Sequence, residues 1–404
     1  MKLFENWTMV LAACFCVLVA GESKAKIAWD KDLVFDANMN STPLACCTNR
    51  DGDGVIVMAV ECPRGALPVR GGDSVLWKIG ADGKTTRIPL RNAEGDKVWT
   101  NAKAIGPGCA MASDNFGNLL TIGVLSRPKD EGKVRTVSLI EKMEDIVLPQ
   151  NEIESHSIRK LIRLQDNTFA LIGDRNGDGL CLRVDAAGRP IQEEVFDMGA
   201  REMLTGVDSL KSDNLNLAVV GLSASIYPEE PNQNSAENFI LMYDPNMKIV
   251  HADYFAEEIP GPLFPKVSCL DNGNIMLVYR KASSDSKTRL WARCYTQELE
   301  VLWEKEIFSA DESPNKLPFY FDVTSCGSKG FVVGVLTPLE GLKFYCLDKD
   351  GGKVDYTGYK GMVSIPGFNL MRIIGRTIAV FEEYSGLGKI EEISVKAKVI
   401  ALDY

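Results

Sequence analysis

The chain repeats itself seven times, at a spacing of about 50 residues, and this constrains its fold more than any other feature. Each unit opens with a short apolar segment, a turn and a second apolar segment. VSCLDNGNIMLVYR (267–280), AMASDNFGNLLTIGVL (110–125), VTSCGSKGFVVGVL (323–336) and LIRLQDNTFALIGD (161–174) show this hairpin, and it is legible again at 44–60, 207–221 and 370–381. Asn, Asp and Gly between β-branched runs mark the turn. A second hairpin follows, built as a strand, a DxxG-like turn and another strand. VLWKIGADGKTTRIPL (75–90), LCLRVDAAGRPIQEEVF (180–196), ILMYDPNMKIVHADYF (240–255), LWARCYTQELEVLWEKEIF (290–308) and LKFYCLDKDGGKVDY (342–356) carry it, with VRTVSLIEKMEDIVL (134–148) the weakest copy. Four short strands per unit, without helical periodicity, predict the four-stranded blades of an all-β propeller.

The two ends of the repeat array complete the prediction. The last unit stops after a third strand, AKVIALDY (397–404), while KIAWDKDLVF (26–35) is an orphan that matches the fourth strand VLWEKEIF (301–308). Joined, they make one hairpin. A seven-bladed β-propeller is therefore expected over 26–404 as a single domain, its ring closed by the N-terminal strand, which removes an exposed sheet edge.

Ahead of the repeats, MKLFENWTMVLAACFCVLVAGESKA has a basic start at Lys2, an apolar stretch from Met9 to Ala20 and small residues after it. This reads as an export signal over 1–21, with cleavage as late as 25, and implies a secreted or periplasmic chain. The stretch is too short to span a bilayer, and no later segment approaches about 18 apolar residues, so no transmembrane segment is expected. Leu11-Ala12-Ala13-Cys14 resembles a lipobox, but the apolar run continues past Cys14, which argues against lipidation. A net charge of −10 argues against nucleic acid or an anionic membrane surface as partner. His156 and His251 lack metal-ligand spacing.

The strands VIALDY, FYCLDKDGG and AWDKDL resemble the tandem propeller repeats of secreted bacterial proteins, nearest to the quinoprotein-like type of outer-membrane assembly lipoproteins, whose strands read roughly vyALDxxTGxxxW. That resemblance covers nearly all of 26–404. It implies architecture rather than activity.

The residues offer three kinds of candidate chemistry. Asp174-Arg175-Asn176-Gly177-Asp178-Gly179 has the start of a calcium loop, with Asp185 at position 12, but it lies between strands where a hairpin turn is needed. Asn49-Arg50-Asp51-Gly52-Asp53-Gly54 is a weaker copy, stretched by about two residues against the equivalent turns. Both are read as turns, and no metal is assigned. Of eleven cysteines, nine lie beyond the signal; most fall in first or third strands, where a thiol packs as a small apolar group rather than bridging. One bridge involving Cys62 stays open. Cys46-Cys47 resembles the vicinal disulfide of quinoprotein alcohol dehydrogenases, yet neighbours on a strand point to opposite faces, so no redox role and no cofactor are assigned. Arg87-Ile88-Pro89 and Ser113-Asp114-Asn115-Phe116-Gly117 resemble the arginine motif and Asp-box of sialidases. The arginine, however, stands in a fourth strand, and no catalytic carboxylate pair can be read from spacing.

The long, varied second-to-third-strand loops are the place for function: 61–74, 126–133, 223–238 and 281–288. Within them Arg64, Arg70, Arg127 and Tyr227 suit recognition by charge-assisted hydrogen bonds and aromatic contact. Trp77, Trp291 and Trp303 sit inside strands and are assigned to the core. The expectation is a monomeric, non-catalytic binding or assembly module meeting a protein or glycan on this face. The alternative is a carbohydrate-active hydrolase or lyase, which convergent arginines or carboxylates in an axial pocket would favour.

Overall fold

The computed structural model describes residues 26–403 except 35, 65–71, 92–98, 101–109, 124–133, 142–144, 156, 212–214, 225–235, 258–263, 283–286, 312–319, 338–340 and 386–393. Seven antiparallel sheets form, one for each repeat. The third blade shows the plan: Ser157–Arg163, Phe169–Arg175, Asp178–Val184 and Pro190–Phe196 lie side by side in chain order. In the first blade a further short strand, Trp99–Thr100, pairs with Gly72–Gly80. First strands of successive blades pack against one another, and that of the first blade, Met39–Thr48, packs against that of the seventh, Met362–Ile373, so the ring closes. Among the described residues no helix is long and apolar enough to cross a membrane.

The strands are apolar on both faces because every sheet is covered twice. Seven buried clusters fill the seams, each shared by two neighbouring blades. Along the second strand of the third blade, Phe169 and Leu171 enter the seam with the second blade, while Ala170 and Ile172 enter the seam with the fourth. The period of two is thus hidden in the sequence as a continuous apolar run. Cys46 and Cys47 follow the same rule. Cys47 packs between the first and second blades and Cys46 between the seventh and first, so their sulfurs diverge. Burial pushes the Cys46, Cys181 and Cys294 thiols up to about 12, which suits packing and not redox chemistry. Trp77 is buried, and Trp291 and Trp303 pack half-buried against core clusters, as expected.

The seventh blade is completed by Lys26–Leu33, which pairs antiparallel with Ser394–Asp403 from Lys26↔Asp403 to Leu33↔Ala397. Leu33 is fully buried in the seam with the first blade. Charge fixes the register on the other face of this strand. Lys398 Nζ lies 3.0 Å from Asp30 and 3.1 Å from Asp32, and Lys396 Nζ lies 2.7 Å from Asp32. Burial opposes ionisation of Asp32, but the two lysines outweigh it and hold the carboxyl below its ordinary value of 3.8.

The match between the orphan strand and 301–308 has a structural basis. Trp29 donates its indole N–H to Ala81 O at 3.1 Å, and Trp303 donates to Lys349 O at 3.0 Å. In both cases the indole lies over the third-to-fourth-strand turn of the next blade. A Cβ on Gly83 would meet Trp29 at 3.0 Å, and one on Gly351 would meet Trp303 at 2.8 Å. These glycines also hold φ of +78° and +75°, so each is required for conformation and for close approach. The DxxG signal of these turns is an Asx turn: Asp348 Oδ1 accepts the Asp350 and Gly352 N–H groups, and Asp185 and Asp244 do the same in their blades.

Two turn expectations resolve at this level. The run from Asp174 to Gly179 is a two-residue Asn176-Gly177 hairpin, with both central residues at positive φ and Arg175 paired to Asp178. Its acids continue the strands and cannot wrap one ion as a loop. The turn of the first blade is longer by one residue, rather than two, than those of the second, third, fifth and sixth blades: Asn49 N donates to Gly54 O, where Leu270 N reaches Asn274 O.

Two consequences are measurable. Gly351→Ala should lower unfolding stability by more than about 1 kcal/mol, since it adds the Trp303 clash to the left-handed backbone cost. Gly375→Ala, at φ +77° with nothing near its Cβ, should show the backbone cost alone when compared by denaturant titration. The second concerns pH. A carboxyl depressed in the folded state stabilises fully above its unfolded pKa, and loses that contribution as pH falls through the lower folded value. Asp32→Asn should therefore lower the thermal midpoint at pH 7, and the gap to the unaltered chain should close below pH about 4.

Candidate anion-binding site at the axial funnel

First strands run from the inter-blade connection to the first-to-second-strand turn, so their opening residues lie at the long-loop face, around the axis. Four successive blades place polar side chains there: Arg159 from the third, Arg201 from the fourth, Lys266 from the fifth and Tyr320 from the sixth. They lie within electrostatic reach of one another. The Arg159 guanidinium stands 5.0 Å from the Phe264 ring, and Lys266 Nζ stands 5.3 Å from the Tyr320 ring.

Burial above all draws the Arg159 guanidinium below the ordinary arginine range, and the Arg201 charge adds to it, against Asp174 and Tyr320. For Lys266, burial is opposed and outweighed by Tyr320 and Asp322, so its ammonium is held the more firmly. The nearby acids are already engaged. Asp174 accepts a hydrogen bond from Ser157 Oγ, and Asp322 Oδ2 accepts the Leu370 N–H at 2.8 Å. Among the described residues neither Arg159 nor Arg201 forms an ion pair, and the buried Arg159 Nε has no hydrogen-bond acceptor. The Arg159 guanidinium thus keeps hydrogen-bonding capacity that the described protein groups do not use.

The opposite mouth is arranged differently. Arg372 of the seventh blade grips Asp271 of the fifth, with contacts of 2.6 and 2.9 Å, across the turn of the sixth at Gly327. The Arg372 guanidinium holds the Asp271 carboxyl below the usual aspartate range. Arg372 is thus paired at this mouth, whereas Arg159 and Arg201 at the other form no ion pair among the described residues.

Of the four residues expected to bind, Arg64 is exposed just beyond the second strand of the first blade, its N–H donating to Asn38 O at 2.7 Å. Arg70, Arg127 and Tyr227 lie outside the described residues, as do 1–25, His156 and Cys109. The funnel residues were missed by sequence reasoning. The available signal was that three of the units open their first strand with Arg or Lys.

No family model matches the sequence, and no curated protein matches it. Solved structures do share its shape. Virginiamycin B lyase from Staphylococcus aureus superposes with a TM-score of 0.50 at 14% identity, over 94% of this chain and 100% of that one. The Dos1 propeller gives 0.49 at 10% identity, over 94% and 95%, and Drosophila Plexin A in complex with Semaphorin 1b gives 0.48 at 8%, over 94% and 87%. These likenesses are to the propeller fold. They span enzymes and binding proteins alike, and the quinoprotein-like resemblance of the strands goes no further than that fold.

Proposed function

We propose that this chain is an exported, non-catalytic binding module that recognises an anionic glycan at the funnel on its long-loop face. The observation that carries the reading is the buried, acceptor-less Nε–H of Arg159, set among Arg201, Lys266, Tyr320 and Phe264. A carboxylate or sulfate would supply the missing acceptor, and the two rings offer apolar faces to a sugar. Against a net charge of −10 over the whole chain, the funnel gathers three cationic side chains in one place.

Binding of the full chain to immobilised polygalacturonate and to neutral dextran tests this. Affinity should be confined to the acidic polymer and fall with salt. A charge-assisted hydrogen bond contributes about 1.5–3 kcal/mol, so Arg159→Gln with Lys266→Gln should weaken binding by at least about tenfold while the thermal midpoint holds. Equal retention of the two polymers, or of the variant and the unaltered chain, would sink the reading.

The second reading, a carbohydrate-active lyase or hydrolase, is supported by one feature of the same cluster: a tyrosine, Tyr320, beside Lys266 and within electrostatic reach of Arg159. It predicts new reducing ends on incubation with the acidic polymer, lost in Tyr320→Phe.

A further inference from the structure

We propose that Asp178, Asp197 and Glu202 hold a divalent cation, calcium by preference, at the seam between the third and fourth blades. Each offers a carboxylate oxygen, and these oxygens lie within 4.8 Å of one another. They come from three different segments. Asp178 follows the Asn176-Gly177 turn, Asp197 sits in the connection between the blades, and Glu202 is near the start of the fourth blade's inner strand. The backbone draws the segments together, since Glu202 N donates to Gly177 O at 2.7 Å.

Three acids close together are not by themselves a site, and the state of Glu202 is what points to a ligand. Glu202 is fully buried. Its Oε1 accepts from Ser223 Oγ at 2.9 Å and from Ala200 N at 3.2 Å, which fixes the carboxylate in place. Its Oε2 is buried and has no hydrogen-bond partner. Among the described residues no lysine or arginine pairs with any of the three acids. A buried carboxylate oxygen without a donor, beside two further carboxylates, calls for positive charge between them.

The donor set selects the cation. All three donors are carboxylates, with no histidine or cysteine among them, which suits a hard ion such as calcium and not zinc or copper. Asp197 is exposed and Asp178 half-buried, so water can fill the remaining coordination positions that calcium takes. Asp197 Oδ1 accepts the Gly199 N–H at 2.6 Å, leaving Oδ2 for the ion. A cation here would clip the turn of one blade to the first strand of the next. It stands independently of the funnel reading, whose residues it does not include.

Calorimetric titration of the EDTA-treated full chain with calcium chloride, together with thermal melts, is the test. The unaltered chain should bind one equivalent and melt higher as calcium rises. Asp197→Asn, at an exposed position that leaves folding intact, should weaken calcium binding by at least about tenfold. Glu202→Gln keeps the shape and removes the buried charge, so it should melt higher than the unaltered chain without metal and gain nothing from calcium. Absence of calcium binding by the unaltered chain, or binding undiminished in Asp197→Asn, would overturn the proposal. So would a Glu202→Gln protein that still responds to calcium, and if that variant does not fold, Asp197→Asn decides.

Discussion

Burial of both faces of every sheet is the condition on which the rest of this molecule depends. A blade here has no polar side to turn to water, so it is stable only between two neighbours, and the ring must close. The seam between the seventh and first blades is therefore as necessary as any other. Its seventh blade is completed by an outer strand from the opposite end of the chain, which enters the seam at Leu33 and is held to its own blade by lysines reaching Asp30 and Asp32. The two indole-on-glycine contacts, at Trp29 and Trp303, apply one local solution at the closing seam and at an ordinary one. Closure uses no special device. It reuses the blade-to-blade contact.

The same geometry creates the functional possibilities. Inner strands that converge on an axis bring together residues 42 to 161 positions apart, provided they open their strands at the same end. Arg159, Arg201, Lys266 and Tyr320 meet for that reason alone. Equally, a turn in one blade and the connection to the next are neighbours by construction, and so Asp178 meets Glu202. Neither grouping depends on a local motif. Each is a product of the ring.

This explains what was and was not legible. The blades, their number and the closing strand were readable because hairpin turns and apolar runs are local signals repeated many times over. The divergence of Cys46 and Cys47 was readable because alternation along a strand is local too. The acidic run 174–179 was half legible: it is a turn, as its place between strands implied, yet its second acid, Asp178, is drawn into a cluster completed by residues 19 and 24 positions further on. The funnel was not legible. Backbone irregularities between Ile158 and Lys160, and between Leu204 and Gly206, interrupt the pairing of two of the four inner strands, so no fixed spacing links the four residues.

By itself the sequence determined an all-β ring of seven blades closed by its N-terminal strand, because patterning, turn chemistry and repeat length act over a few residues at a time. Only the tertiary structure decided which charges face which. Asp32 is paired with lysines, Asp271 with an arginine two blades away, and Arg159 with no acid among the described residues. The physical reason is that electrostatics and hydrogen bonding act through space over a few ångströms, and the seven-fold ring sets those distances without regard to separation along the chain.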